Sequence, residues 1–370
     1  MQLINSKYSI KGVISALLTL CLTSCSPAED DKHATATSLN NKPVDTIEPT
    51  PPEKKTTQRQ ETAEDNDKAD IKIAPLSEFA NNEPNEIQKS FSLILDDRPT
   101  KKPKLVHVDS LETIKALFDS LDYTTESWQQ GNREVPRLTF ETVTEEWQQH
   151  SNEIPVDEKK MIFFRLMAPL VLLSNEKVLL ERRYIEVHDN DDDKVIKLAQ
   201  KYKIIDEPAP ITDEQKAALL ARVDIIPPSL VLAQAAEESG WATSRFTVEG
   251  NAFFGQWDFS GNGMVPKQQR TELGNYGIAR FDSPLASVIG YLTNINTHNA
   301  YQKLRDLRAQ LRHNNAPITG LELAGTLDKY SERGQEYIDG IRSLINYNKL
   351  NDVDEAYLSD KDPIHLMTAP

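Results

Sequence analysis

Cysteine is almost missing from this chain: there are two in 370 residues, Cys21 and Cys25, both near the start. With the first in a leader and the second modified, nothing remains for a disulfide framework, a thiolate metal site or a cysteine nucleophile. The seven histidines are scattered, with no HExxH or other ligand pair at helical spacing, which removes support for a zinc peptidase or amidase. Positive charge is short as well. Against 57 Asp and Glu stand 42 Lys and Arg, a net charge of −15. That balance argues against nucleic acid and gives no electrostatic pull toward anionic polymers or lipid head groups. Ligand binding has to rest on hydrogen bonds and aromatic stacking. The acidic run from Asp189 to Asp193 lacks the glycine and glutamate of a calcium loop, because Lys194 and Gln200 stand at those places. No metal and no organic cofactor is expected.

Long apolar runs are scarce too. The run from Val13 to Leu22 is too short to be a good membrane span, and with Lys7 and Lys11 before it the segment has the shape of a secretory signal. It ends in Leu22-Thr23-Ser24-Cys25, which resembles a bacterial lipoprotein box. The resemblance implies that residues 1–24 are a signal peptide and that Cys25 carries the lipid, anchoring the protein to a membrane without a spanning helix. Ser26 is compatible with delivery to the outer membrane, hence a place in the cell envelope facing the periplasm. Residues 25–96 are rich in Thr, Asn, Glu, Asp, Lys and Pro and read as a disordered tether, with Phe91 to Leu95 as a short strand or turn. A flexible chain of about 70 residues has a root-mean-square span of about 45 Å.

Beyond the tether the pattern is helical. Leu111, Ile114, Leu117, Phe118 and Leu121 recur at three and four, which predicts an amphipathic helix capped by Asp109 or Ser110. A longer helix is predicted from Asp157 to Arg183, kinked at Pro169. Two more follow, from Lys194 to Tyr202 and from Thr212 to Val223, the second with Thr212 three residues ahead of Gln215 as a capping box. Further helices are expected at Pro284–Thr297, Ala300–Arg312, Leu321–Lys329 and Gln335–Tyr347, with a loose acidic tail at 351–370. Between Gly255 and Phe281 helical periodicity disappears and Ser260-Gly261-Asn262-Gly263 marks a tight turn, which suggests a small hairpin lobe.

The chain is organised around Pro228 to Gly255. Leu230, Val231, Leu232, Ala233, Ala235 and Ala236 offer almost no polar surface, so their helix belongs inside a domain. Glu237 and Glu238 arrive at its end, before the helix-stopping Gly240. A carboxyl group there meets the negative end of the helix dipole in partly apolar surroundings, and both disfavour its charged form. That is the condition of a general acid.

Ala233-Gln234-Ala235-Ala236, then Glu238-Ser239-Gly240-Trp241, then Thr243, Ser244 and Phe246, then Gly250, Asn251, Phe254 and Gly255, together resemble the signature of the glucosaminidase family of peptidoglycan hydrolases, closest to its Bax-like branch. The likeness extends to Trp257, Phe281-Asp282-Ser283, Lys329-Tyr330 and Tyr337. It implies a mainly α (α+β) architecture: a lysozyme-like helical catalytic domain at 206–350 with a small β-hairpin lobe, preceded by packing helices at 97–205. It further implies hydrolysis of N-acetylglucosaminyl bonds in cell-wall glycan strands by a monomeric protein, with Glu238 as the acid. Glu272 and Tyr337 are the other catalytic candidates. Relatives carry a glutamate just before the Phe-Asp-Ser segment, where this chain has Tyr276 and Gly277, so Glu272 is open between a catalytic and an ordinary hairpin carboxylate. Trp241, Asn251, Phe254, Gln256, Trp257 and Tyr330 are the candidate glycan contacts. Two other functions stay open: a lytic transglycosylase, although its Gly-Leu-Met-Gln stretch is replaced by Phe253-Phe254-Gly255-Gln256-Trp257, and a non-catalytic glycan-binding scaffold.

Overall fold

The computed structural model describes residues 101–258, 262–267 and 277–368. The expected signal segment, Cys25, the expected tether with Phe91–Leu95, and Glu272 lie outside the described residues. Strand β1 (Lys104–Val108) leads into α1 (Leu111–Ser120). Ser110 caps that helix, its hydroxyl accepting from the Thr113 amide at 3.2 Å. Then come α2 (Thr125–Gln129), β2 (Glu134–Val135), β3 (Leu138–Phe140) and α3 (Glu145–His150), the two helices capped by Thr124 and Thr144. The long helix α4 (Val156–Val187) continues through Pro169. It buries Phe163, Met167, Leu170 and Val171, and it packs on β3 and on the central helix α7.

Helices α5 (Asp193–Lys201) and α6 (Asp213–Arg222) follow, the second with the full capping box of Thr212 and Gln215. Asp192 of the acidic run caps α5 by accepting from the amides of Lys194 and Val195, so the run has a structural use. After α6 the buried Asp224 meets an arginine fork, Arg312 Nε and Nη2 each at 2.6 Å. Burial works to raise this carboxyl, but Arg182, Arg312 and Arg308 hold it down to about 2. Arg308 itself is buried and donates to the carbonyls of Asp224, Ile225 and Ala221, tying off the end of α6.

Helix α7 (Pro228–Ser239) starts with proline in its first turn and buries every residue from Pro228 to Ala236. It is followed by α8 (Arg245–Gly250) and by an antiparallel pair, β4 (Trp257–Asp258) with β5 (Gly277–Ile278). This lobe has its own small core of Ala252, Met264 and Ile278. Gly263 and Gly277 cross so closely that a Cβ on either would come within 2.8 Å of the other's backbone. Helices α9 (Pro284–Thr297), α10 (Gln302–His313), α11 (Gly320–Ala324) and α12 (Gln335–Tyr347) complete the helical body. The fold is mainly α with small sheets, and residues on both sides of position 205 share one continuous core.

Two expectations need correcting. The helix predicted at Leu321–Lys329 closes after Ala324, and Leu327 is buried from the turn that follows. The tail is not loose. Residues Leu350–Glu355 form a 3₁₀ turn, β6 (Tyr357–Leu358) pairs with β2, and β7 (Ile364–Thr368) lies between β1 and β3, parallel to both. The cause is a short period-2 pattern: Ile364 and Leu366 face the core while His365 and Met367 alternate away from it. The acidity is used too, since Asp354 accepts from Ser229 N (2.8 Å), Ser229 Oγ (2.7 Å) and Gly320 N (3.1 Å), capping the start of α7. No helix among the described residues is long and apolar enough to cross a membrane.

Ending the chain at Glu355 removes β6 and β7, with the buried Ile364 and Leu366. The expected cost is about 4 kcal/mol, or about 10 °C in Tm. Thermal unfolding followed by circular dichroism checks it, and an unchanged midpoint would show the sheet to be dispensable.

Candidate active site

Helix α7 runs buried until its last turn, where Glu237 turns outward and Glu238 stays half-buried. Residue 234 lies one turn earlier on the same face as Glu238. Gln234 is wholly buried there, and it organises a chain of hydrogen bonds. The Tyr291 hydroxyl, from α9, donates to Gln234 Oε1, and Gln234 Nε2 donates to the Tyr337 hydroxyl at 2.9 Å. The Tyr337 hydroxyl in turn donates to Glu238 Oε1 at 2.8 Å. Because Tyr337 already receives a proton donor from Gln234, its own proton goes to Oε1. A proton held by Glu238 therefore sits on Oε2, away from the tyrosine.

Burial pushes the Glu238 carboxyl up to about 7; the Tyr337 bond works against this, Glu237 adds to it, and Arg333 opposes it. The end of the α7 dipole favours the neutral form as well. The backbone after Glu238 is tightly held: Gly240, Trp241 and Ala242 are all left-handed, with φ of 57°, 61° and 65°. For tryptophan and alanine this costs about 1–3 kcal/mol each. The turn persists because Trp241 N donates to Ala236 O (3.0 Å), Ala242 N donates to Ser239 Oγ (2.8 Å), and two side chains of the N-terminal region clamp it. Trp147 Nε1 donates to Trp241 O at 3.1 Å and Gln148 Nε2 to Thr243 O at 2.9 Å.

Residues 214–350 match the family described as Glucosaminidase, Mannosyl-glycoprotein endo-beta-N-acetylglucosaminidase. Over 202 residues, 52% of this chain and 70% of the relative, the sequence is 31% identical to Protein bax of Escherichia coli (strain K12). The chain belongs to the glucosaminidase family. No solved structure matches it. The matched segment contains α7, the hairpin lobe and the helices through α12, so the Glu238 cluster lies wholly inside the glucosaminidase domain.

The other candidates separate into groups. Tyr337 is buried behind Glu238, and Tyr330, half-buried, stacks on it with ring centroids 5.3 Å apart and planes at 13°. Phe254 is buried and stacks on Tyr291 at 4.1 Å, so it supports the relay from behind. The ring of Trp241 is docked edge-on against Phe163 (5.5 Å) and Phe164 (5.3 Å) of α4, where it joins the turn after Glu238 to the N-terminal region. The Asn251 side chain accepts from Thr142 Oγ1 (3.1 Å) and donates to Phe281 O (3.2 Å), holding the left-handed end of α8. Gln256 and Trp257 are half-buried at the base of the hairpin, and the Gln256 side-chain oxygen is buried without a hydrogen-bond partner. Glu272 lies outside the described residues. Among the described residues no group of three or more His, Cys, Asp or Glu is placed to hold a metal ion.

Three residues escaped the sequence reading. Gln234 carried a signal, being the one amide in an apolar helix, four residues before the acid. Tyr291 and Arg333 carried none, since only the tertiary fold brings them to α7.

The displaced titration has a consequence for stability. The native state holds the Glu238 proton up to about 7 against an ordinary 4.5, so between those values it binds more protons than the unfolded chain. Stability therefore falls as pH rises through that window, and the loss is complete above it. Glu238→Gln removes this penalty. It is expected to stabilise the protein by about 2 kcal/mol at pH 8 and to change little near the ordinary carboxylate range. Urea unfolding at the two pH values reads it, and equal effects at both would contradict the burial argument.

Proposed function

We propose that this chain is an endo-acting peptidoglycan hydrolase that cleaves N-acetylglucosaminyl β-1,4 bonds of cell-wall glycan strands, with Glu238 as general acid. The observation that carries the reading is a carboxyl group with a titration near 7 at the end of a buried helix, hydrogen-bonded on one oxygen only. The Oε2 proton goes to the bridging glycosidic oxygen as the bond to the anomeric carbon breaks, and water adds at that carbon. Ionised Glu238 then receives a stronger hydrogen bond from Tyr337, so the relay favours the state in which the proton has been given away. Tyr337 thus acts from behind the acid. The group on the opposite face is either the 2-acetamido oxygen of the substrate or Glu272, and an acetamido participant needs no strong protein base.

Tyr330, Gln256 and Trp257, all half-buried, are the candidates that remain for sugar contacts. The protein works as a monomer in the cell envelope, held by lipid on Cys25 at the periplasmic face of the outer membrane. Its acidic surface leaves glycan recognition to uncharged contacts.

Digestion of purified sacculi tests this. The wild-type protein should release muropeptides ending in reducing N-acetylglucosamine, with a rate that falls as pH rises through about 7, because the acid must be protonated. Glu238→Gln should lose about 100-fold or more in rate. Anhydro-muramic termini would show a lytic transglycosylase instead, and equal release by both proteins would remove Glu238 from the chemistry.

A further inference from the structure

Glu237 sits one residue before the acid, and its carboxylate faces outward into an ion pair with Arg333, Nη2 to Oε1 at 2.7 Å. Arg333 belongs to the turn before α12, and its guanidinium carbon lies 5.2 Å from the centre of the Tyr337 ring. The same Tyr337 donates to Glu238 at 2.8 Å. The four side chains close a circuit: two carboxylates from neighbouring positions of one helix, one cation, and one ring between them. The cation acts electrostatically on both carboxylates, yet its ion pair is with the exposed one. If Arg333 turned to Glu238, it would strip the acid of its proton before any substrate arrived.

We propose that Glu237 is a positioning residue that holds Arg333 across the face of Tyr337 and off Glu238, so that the acid stays protonated at rest while a cation stands ready beside the carboxylate it becomes. The inference rests on Glu238 being the acid of the proposed hydrolysis. Among the described residues the remaining titratable groups that act on Glu238 are tyrosines: Tyr337 from α12, Tyr330 from the segment before it, Tyr291 from α9 and Tyr301 from the turn between α9 and α10. Burial pushes all four phenols upward, Tyr301 to about 12 and the others well above their ordinary range. None of them changes charge where Glu238 titrates. Among the described residues, the two charges that act on Glu238 are those of Glu237, which raises it, and Arg333, which lowers it.

The two partners should therefore act in opposite directions, and Glu237→Gln should lower Glu238 further when Arg333 is present than in an Arg333→Gln background. Two charges acting independently would give the same shift in both. Glu237→Gln removes a negative neighbour and releases Arg333, so Glu238 should titrate lower, by about half a pH unit or more. Arg333→Gln should move the titration up by a similar amount, and the double variant should lie between that value and wild type. Glu336→Gln, an exposed carboxylate on the first turn of α12, should move nothing. Carbon-13 NMR of glutamate-labelled protein reads the Glu238 carboxyl directly, with Glu238→Gln supplying the assignment. The alkaline limb of sacculus digestion should follow in the same directions. A Glu237→Gln shift larger with Arg333 present than without it supports the inference even with no muropeptide released, in which case the hydrolase reading fails; equal Glu237→Gln shifts in the two backgrounds overturn the inference. Shifts of the same sign, or none in either variant, overturn it.

Discussion

A carboxyl group keeps its proton near neutral pH only where water cannot solvate its charge, and a folded protein pays for that in structure elsewhere. Here the cost is met by burying one helix on all sides. Because α7 shows no polar face, its ends must be satisfied by groups supplied from outside it. Asp354 gives acceptors to the first turn, where Pro227 has no side-chain cap to offer. At the other end the carbonyls close on three left-handed residues, held by Trp147 and Gln148. The helix that carries Glu238 is thus fixed at both ends by side chains from outside the matched segment, Trp147 and Gln148 before it and Asp354 just after it.

The electrostatics follow the same logic of exclusion. A fully neutral pocket would hold the proton but could not release it; a cation in direct contact would release it too soon. Tyr337 is a neutral donor whose bond gains strength when Glu238 ionises, and Gln234 keeps that donor aimed. Contrast the buried Asp224, where three arginines hold the carboxyl down to about 2. One buried carboxylate serves as a fixed anchor and the other keeps a mobile proton, and the difference lies in whether a guanidinium or a phenol fills the first contact.

Much of this was readable from the chain. The bounds of α7, α9 and α12 are set by local signals, proline at the start of the first two and glycine after the first, and they agree with the patterns. Glu238 and Tyr337 each stood out by motif position, but the hydrogen bond between them is visible only in the fold. What failed were decisions made by distant partners. Five residues from Ile364 to Thr368 hold too little alternation to declare a strand when acidic residues precede them, and their two neighbours come from the opposite end of the domain. Trp241 was expected against sugar because large flat rings suit pyranose faces, but Phe163 and Phe164 offer it an apolar seat that periodicity in α4 gives no means of foreseeing.

The order of strands in the small parallel sheet carries a temporal meaning. β1 and β3 never touch each other in the ladder; each is bridged only through β7, which follows them by more than 200 positions, as the 225-residue separation of Thr139 and Ile364 shows. During synthesis from the N-terminus these two strands wait with open edges until the last one emerges. The segment that also brings Asp354 to the head of α7 lies in the same late stretch. A fragment that stops before it therefore carries the 228–255 motif with an uncapped helix start and two strands that lack their shared neighbour.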